Sequence, residues 1–170
     1  ENIENLLIDK KTLTAEEFDF FKKSLGEKLK FFDQDFIWEL RIPKDELALK
    51  YQEKAGQIIA KVFKTIPSWL EKNITEKQLA GKMIGLMMEL GAEAPAFPTI
   101  VAFGSNGALP HHQPTNKKLE FNKAVLVDAG AKFNGYRSDM TRTFWFGNKP
   151  SEEFLKIEKI VKQAYQQALN

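Results

Sequence analysis

The sequence predicts an α+β fold, an antiparallel sheet with long helices on one face. Three observations carry this. Residues 44–64 and 75–91 each place apolar side chains at helical spacing. Two strand-like runs, residues 125–127 and 141–146, flank Asn134-Gly135, and Asn-Gly between such runs is the strongest short-range hairpin signal. Strands paired locally, with the long helices gathered upstream, suit helices segregated to one side of an antiparallel sheet.

Composition bounds the function classes. The 170 residues are 43% hydrophobic and 28% charged, enough for one domain with a sizeable core. The net charge of +2 is spread over both signs and points to no nucleic-acid partner. No apolar run approaches the roughly 18 residues of a membrane span, and no signal peptide is visible, so the expectation is no membrane and a cytoplasmic home. With no Cys, disulfides and thiolate metal ligands are excluded. The first residue is Glu1 rather than Met, which suggests a trimmed or partial chain.

In chain order, Thr14 and Glu17 form a capping box, and Phe18, Phe21 and Leu25 follow at helical spacing up to Gly26. This Phe-rich helix reads as a packed surface helix rather than a partner-binding one. Residues 36–40 read as a short extended lead-in closed by Pro43. The helix over 44–64 carries a stripe of Leu47, Tyr51, Ala55, Ile58, Ile59, Val62 and Phe63, and Pro67 helps to end it. A second capping box, Thr75 with Gln78, opens the next helix, with Leu79, Met83, Leu86, Met87 and Leu90 leading to Gly91. Its methionines read as core rather than as a soft-metal surface.

Residues 97–103 are apolar and β-rich, a candidate strand. The Gly104-Ser105-Asn106-Gly107 run then marks a loop that delivers His111 and His112, the only histidines. An imidazole can donate a hydrogen bond, move a proton or bind metal near neutral pH. Phe144, Trp145 and Phe146 end the second hairpin strand and read as buried against helices. Ser151 caps a last helix, with Glu152 and Glu153 in its first turn and a buried stripe of Ile157, Ile160, Val161, Ala164 and Ala168.

The hairpin register makes a geometric prediction. With Asn134 and Gly135 as the turn, Phe133 pairs with Tyr136 and Asp128 with Thr141, two residues from Asp139. Side chains alternate with period two, so Asp128 and Asp139 share a face as diagonal neighbours, with Cβ atoms roughly 7 Å apart. Two carboxylates so placed repel unless something intervenes. A shared proton, a salt bridge to Arg137 or Arg142, or a divalent metal ion would each serve.

The segments VLVDAG and GYRSDMTRT resemble the signature of the pita-bread metallopeptidases, the group of creatinase, prolidase, aminopeptidase P and methionine aminopeptidase. Asp128 and Asp139 fall at matching positions, with Gly130, Gly135, Tyr136, Thr141, Arg142 and Thr143 around them. FPTIVAFGSNGALPHHQPTNKKLE resembles the segment that precedes this hairpin in the proline-specific branch. The resemblance implies that Asp128 ligates one metal, that Asp139 bridges two divalent ions (Mn, Co or Zn), and that His111 lines the substrate site as its catalytic residue. No other cofactor is implied. The implied reaction is hydrolysis of the bond preceding proline at a peptide's N-terminal end, by metal-activated water. The substrate partner would be a peptide with proline in second position.

The resemblance also implies that residues 1–35 are the end of an N-terminal domain with its connector, and residues 36–170 the N-terminal half of the catalytic domain. A His and two Glu ligands of the family match no position here. The chain is thus expected to be a fragment, or to be completed by a second half or another copy as a homo-oligomer, and to be inactive alone. A non-catalytic module of the same fold, or a related hydrolase with another substrate, is the alternative. Two facing acids argue against a module that has lost its site.

Overall fold

The computed structural model describes residues 6–9, 13–32 and 36–169. They fall into two compact units, within Glu1–Glu46 and Leu47–Asn170. In the first, β1 (Leu6–Asp9) lies parallel to β2 (Leu29–Phe32), and α1 (Ala15–Leu25) connects them. The predicted capping box opens α1: the Glu17 amide donates to Thr14 Oγ1 at 3.2 Å and the Thr14 amide to Glu17 Oε2 at 2.9 Å. Residues 36–40 are not extended. They lie in α2 (Phe36–Arg41), because Pro43 restricts the residue before it, Ile42, and so sets where the helix stops without unwinding it.

The second unit begins with α3 (Glu46–Trp69) and α4 (Glu76–Glu89). Pro67 does not end α3 but sits in its last turn, where it removes one backbone hydrogen bond while the adjacent Ile66 is fully buried. Of the predicted stripe, Ala55, Ile58, Ile59, Val62 and Phe63 are buried. Leu47 is exposed and Ala48 takes its inward position, while Tyr51 rests on the rings of Phe133 and Tyr136. In α4 the capping box forms as predicted, Gln78 amide to Thr75 Oγ1 at 3.1 Å and Thr75 amide to Gln78 Oε1 at 2.8 Å. Met83 and Met87 are core residues, and Met88 is exposed.

Strands β3 (Ala94–Pro95), β4 (Ile100–Phe103), β5 (Lys123–Ala129), β6 (Ala131–Phe133), β7 (Tyr136–Arg137) and β8 (Met140–Phe146) build two antiparallel sheets, ordered β3-β6-β7 and β4-β5-β8. The predicted strand over 97–103 is thus only its second half, since Pro98 has no amide to give a ladder. Val101 and Phe103 of β4 and Val125, Val127 and Ala129 of β5 pack against the buried faces of α3 and α4. The helices therefore cover one face, and the other carries Leu126 and Asp128.

The hairpin keeps the predicted register throughout. Phe133 pairs with Tyr136 and Asp128 with Thr141. Asn134 (φ 45°) and Gly135 (φ 81°) both take the left-handed conformation that a two-residue turn of this hand demands. Midway the ribbon passes from one sheet to the other, and Gly130 is the crossing point. A Cβ there would collide with the backbone carbonyl oxygen of Ser138 and crowd Ala96. The Gly130 carbonyl accepts from the Ala96 amide at 2.8 Å. The Ser138 hydroxyl accepts from the Ala131 amide at 3.0 Å and donates to the Ala55 carbonyl of α3, also at 3.0 Å.

The last helix, α5 (Glu152–Leu169), is capped by Ser151, whose hydroxyl accepts from the Phe154 amide at 3.2 Å. Its predicted buried stripe is exposed: Ile157, Ile160 and Val161 are 54%, 55% and 60% accessible, and Ala164 and Ala168 are exposed too. Amphipathic spacing records a face that seeks cover but not what provides it; Phe154, off that stripe, packs on Trp145. Phe144, Trp145 and Phe146 are correspondingly half-buried rather than enclosed. No described helix is long and apolar enough to cross a membrane.

One fully buried acid fastens the link between β4 and β5. Glu76, the first residue of α4, accepts from the Phe103 amide (2.8 Å), Asn106 Nδ2 (2.8 Å), His112 Nε2 (2.9 Å), and the amide (2.9 Å) and hydroxyl (2.7 Å) of Thr115. Burial alone would raise its pKa. The bonds from Thr115, His112 and Phe103 outweigh burial and hold it at about 2, below the ordinary 4.5.

Two outcomes follow from this packing. Gly130→Ala forces the Ser138 backbone aside and should cost about 3 kcal/mol, read as a lower denaturant midpoint at unchanged slope; an unchanged midpoint would mean the crossing has room to spare. Because the Glu76 pKa is lowered on folding, its contribution is complete above about pH 5 and disappears as pH falls towards 2, amounting to about 3 kcal/mol. Glu76→Gln should flatten the acid limb of stability against pH over that window, and an equally steep limb in the variant would assign acid unfolding elsewhere.

Candidate metal centre

Asp128 lies in β5 between Val127 and Ala129, both fully buried on the helix side. Strand alternation therefore turns its carboxylate to the opposite, half-open face. There Thr141, its cross-strand partner, donates from Oγ1 to Asp128 Oδ1 at 2.9 Å. Asp139 stands two residues before Thr141, and so on the same face, immediately ahead of β8 and across from the Gly130 crossing. The two acids meet. Desolvation against the sheet raises the Asp139 pKa first, and the negative charge of Asp128 and a side-chain hydrogen bond with it raise it further.

No described basic side chain relieves this pair. Arg142 spends its guanidinium on the Thr141 carbonyl at 2.7 Å, and among the described residues neither carboxylate joins a salt bridge with Arg137, Arg142 or any lysine. Of the three remedies open to the sequence, a shared proton and a cation remain. As a donor set, two converging carboxylates fit a hard divalent ion, but they supply only part of a shell of about six ligands. Among the described residues no third His, Cys, Asp or Glu joins them.

The histidines separate cleanly. His112 is buried and bound to Glu76, whereas the exposed His111 imidazole engages no described residue. The short turn Gly104–Ala108 that leads to them packs at Gly107 against Leu126, two residues from Asp128 and on the same face of the sheet. The turn that precedes the His111 segment thus packs on the face that carries the two acids. Sequence reasoning missed Glu76, because an acid in the first turn of a capped helix is an ordinary response to the helix dipole. It also missed Ser138, whose hydrogen bond to the Ala55 carbonyl spans a separation that no local pattern reports.

Residues 50–170 match the model of metallopeptidase family M24. The chain is 37% identical over 151 residues to the Xaa-Pro dipeptidase of Pyrococcus furiosus, an alignment covering 89% of this chain and 43% of that protein. It superimposes on the X-Pro aminopeptidase of Thermotoga maritima with a TM-score of 0.90 at 30% identity, covering 98% of this chain and 47% of the other. The prolidase of Pyrococcus furiosus gives 0.85 at 36% identity, covering 97% and 48%. The chain therefore spans a little under half the length of these relatives, and its helices on one face of antiparallel strands are the first half of their pita-bread fold. By its matched residues and its fold, the chain belongs to metallopeptidase family M24.

Proposed function

We propose that this chain supplies the Asp128 and Asp139 part of a two-metal site that hydrolyses the bond preceding proline at the N-terminal end of peptides. The observation that carries this is the convergence of two carboxylates on one open face, with neither in a salt bridge among the described residues. In this reading residues 36–170 are the N-terminal half of the catalytic domain. Asp128, aligned by the Thr141 hydroxyl, and Asp139, immediately ahead of β8, would together hold the ions. Manganese, cobalt and zinc are the candidates. Such ions, when bound, acidify water and polarise a carbonyl. His111, exposed on the loop that follows β4, would donate a hydrogen bond to the substrate's carbonyl or carboxylate. The substrate class is drawn from relatives named for Xaa-Pro substrates, and the remaining ligands are assigned to residues outside these 170.

Titrating Mn²⁺ into the chain, followed by the loss of its free electron paramagnetic resonance signal, should show weak binding that Asp128→Asn or Asp139→Asn abolishes. Binding unchanged in both variants would place the ion elsewhere. The loaded chain alone should not hydrolyse an Xaa-Pro peptide, since two carboxylates leave most of the coordination shell to water; robust turnover would show that its ligands are complete.

Strand β8 is the outer strand of its sheet, and α5 presents Ile157, Ile160, Val161 and Tyr165 to solvent. An open strand edge beside an apolar face attracts another chain. Sedimentation equilibrium over a tenfold concentration range should therefore show self-association. A strictly monomeric species across that range would mean that this surface needs no cover.

A further inference from the structure

We infer that Glu76 is a positioning residue for His111, holding the loop that presents this imidazole over the face of Asp128 and Asp139. The inference rests on the reading of His111 as a substrate-facing group. Asn106, His112 and Thr115 bracket His111 on both sides, and Phe103 is the residue from which the link departs. A single carboxylate thus gathers the last residue of β4 and three positions of the connection around His111.

The local chain carries that restraint to His111. The His112 amide donates to the Leu109 carbonyl at 3.2 Å, which closes a four-residue turn. Pro110 occupies its second position, where a fixed φ is favoured, and His111 its third. His112 turns inward to Glu76, so its neighbour His111 is directed outward. On the outer side Lys117 Nζ donates to Ser105 Oγ at 3.1 Å and to Asn106 Oδ1 at 3.2 Å, a second tie between the two limbs of the loop. All five groups facing Glu76 donate, so only an acceptor on every side satisfies them. A glutamine would turn an NH₂ towards donors, whereas an aspartate keeps the charge on a shorter arm. A buried charge retained for stability alone is often replaceable by apolar packing. Here every partner lies in the one connection that bears His111 or, for Phe103, at the strand end from which it departs, which gives the charge a local purpose.

Nuclear magnetic resonance on the 170-residue chain tests this, with Mn²⁺ as the probe. In the parent chain, backbone order parameters over residues 106–115 should be near the rigid value of about 0.85. Mn²⁺ should broaden both Thr141 and the His111 imidazole. In Glu76→Gln, and in the milder Thr115→Val should the first not fold, order in the loop should fall below about 0.6, while Val62, Val125 and Val127 stay rigid. The broadening at His111 should weaken by at least twofold with that at Thr141 unchanged. Glu76→Asp should recover part of both effects. Loop order that survives these substitutions would overturn the inference. So would a loosened loop whose His111 is broadened as before, since Glu76 would then be structural only. Failure of Mn²⁺ to broaden Thr141 in the parent chain would instead sink the metal reading, and the order parameters would still decide whether Glu76 holds the loop.

Discussion

Between Ala129 and Ala131 the hairpin leaves one sheet for another without slipping register, and the candidate site depends on that passage. A slip of one residue would turn Asp139 to the helix side, since side chains alternate across a strand. The passage holds because Gly130 lets the Ser138 carbonyl approach to a distance that no Cβ permits. It holds also because the Ser138 hydroxyl binds both the ribbon, at the Ala131 amide, and helix α3, at the Ala55 carbonyl. Asp139 is the next residue. The backbone that places its carboxylate is therefore fixed against the core and not by the turn alone.

The acids of this unit show two opposite solutions to the cost of a negative charge near a core. Glu76 is wholly enclosed, yet five donors keep it ionised and its pKa is lowered to about 2. Asp139 is more accessible, yet its pKa is raised, because partial desolvation, its acidic neighbour and their shared hydrogen bond all act in one direction. A charge that a fold has satisfied is architecture. A charge left unrelieved on an open face marks a candidate ligand site. That contrast, more than the presence of two aspartates, separates the structural carboxylate from the candidate metal ligands.

Much of this was legible in the sequence because the signals were local. The Thr14 and Thr75 capping boxes, the Asn134-Gly135 turn and the strand pairing that the turn dictates all formed as their short-range chemistry requires. From that register alone the shared face of Asp128 and Asp139 could be foreseen. What could not be read depended on contacts far apart in the chain. Glu76 meets Thr115 thirty-nine positions away, and Ser138 meets Ala55 across eighty-three. The α5 stripe failed for a related reason: its period was right, but periodicity names no partner. At residues 36–40 a proline was given influence over residues beyond its immediate predecessor.

Three demands remain open among the described residues, and they are of different kinds. The Asp128–Asp139 pair calls for positive charge and further ligands, the outer edge of β8 for backbone donors and acceptors, and the stripe on α5 for apolar cover. Asp139 immediately precedes β8, and α5 follows it with Phe154 resting on Trp145 of that strand. All three demands thus gather about one strand. A single added layer, pairing with β8 and burying the stripe on α5, could also bring ligands to the carboxylates. An apolar stripe and an open strand edge would each attract a partner alone. Their convergence on the strand beside Asp139 ties completion of the core to completion of the proposed metal site, so that whatever covers the one would be positioned to finish the other.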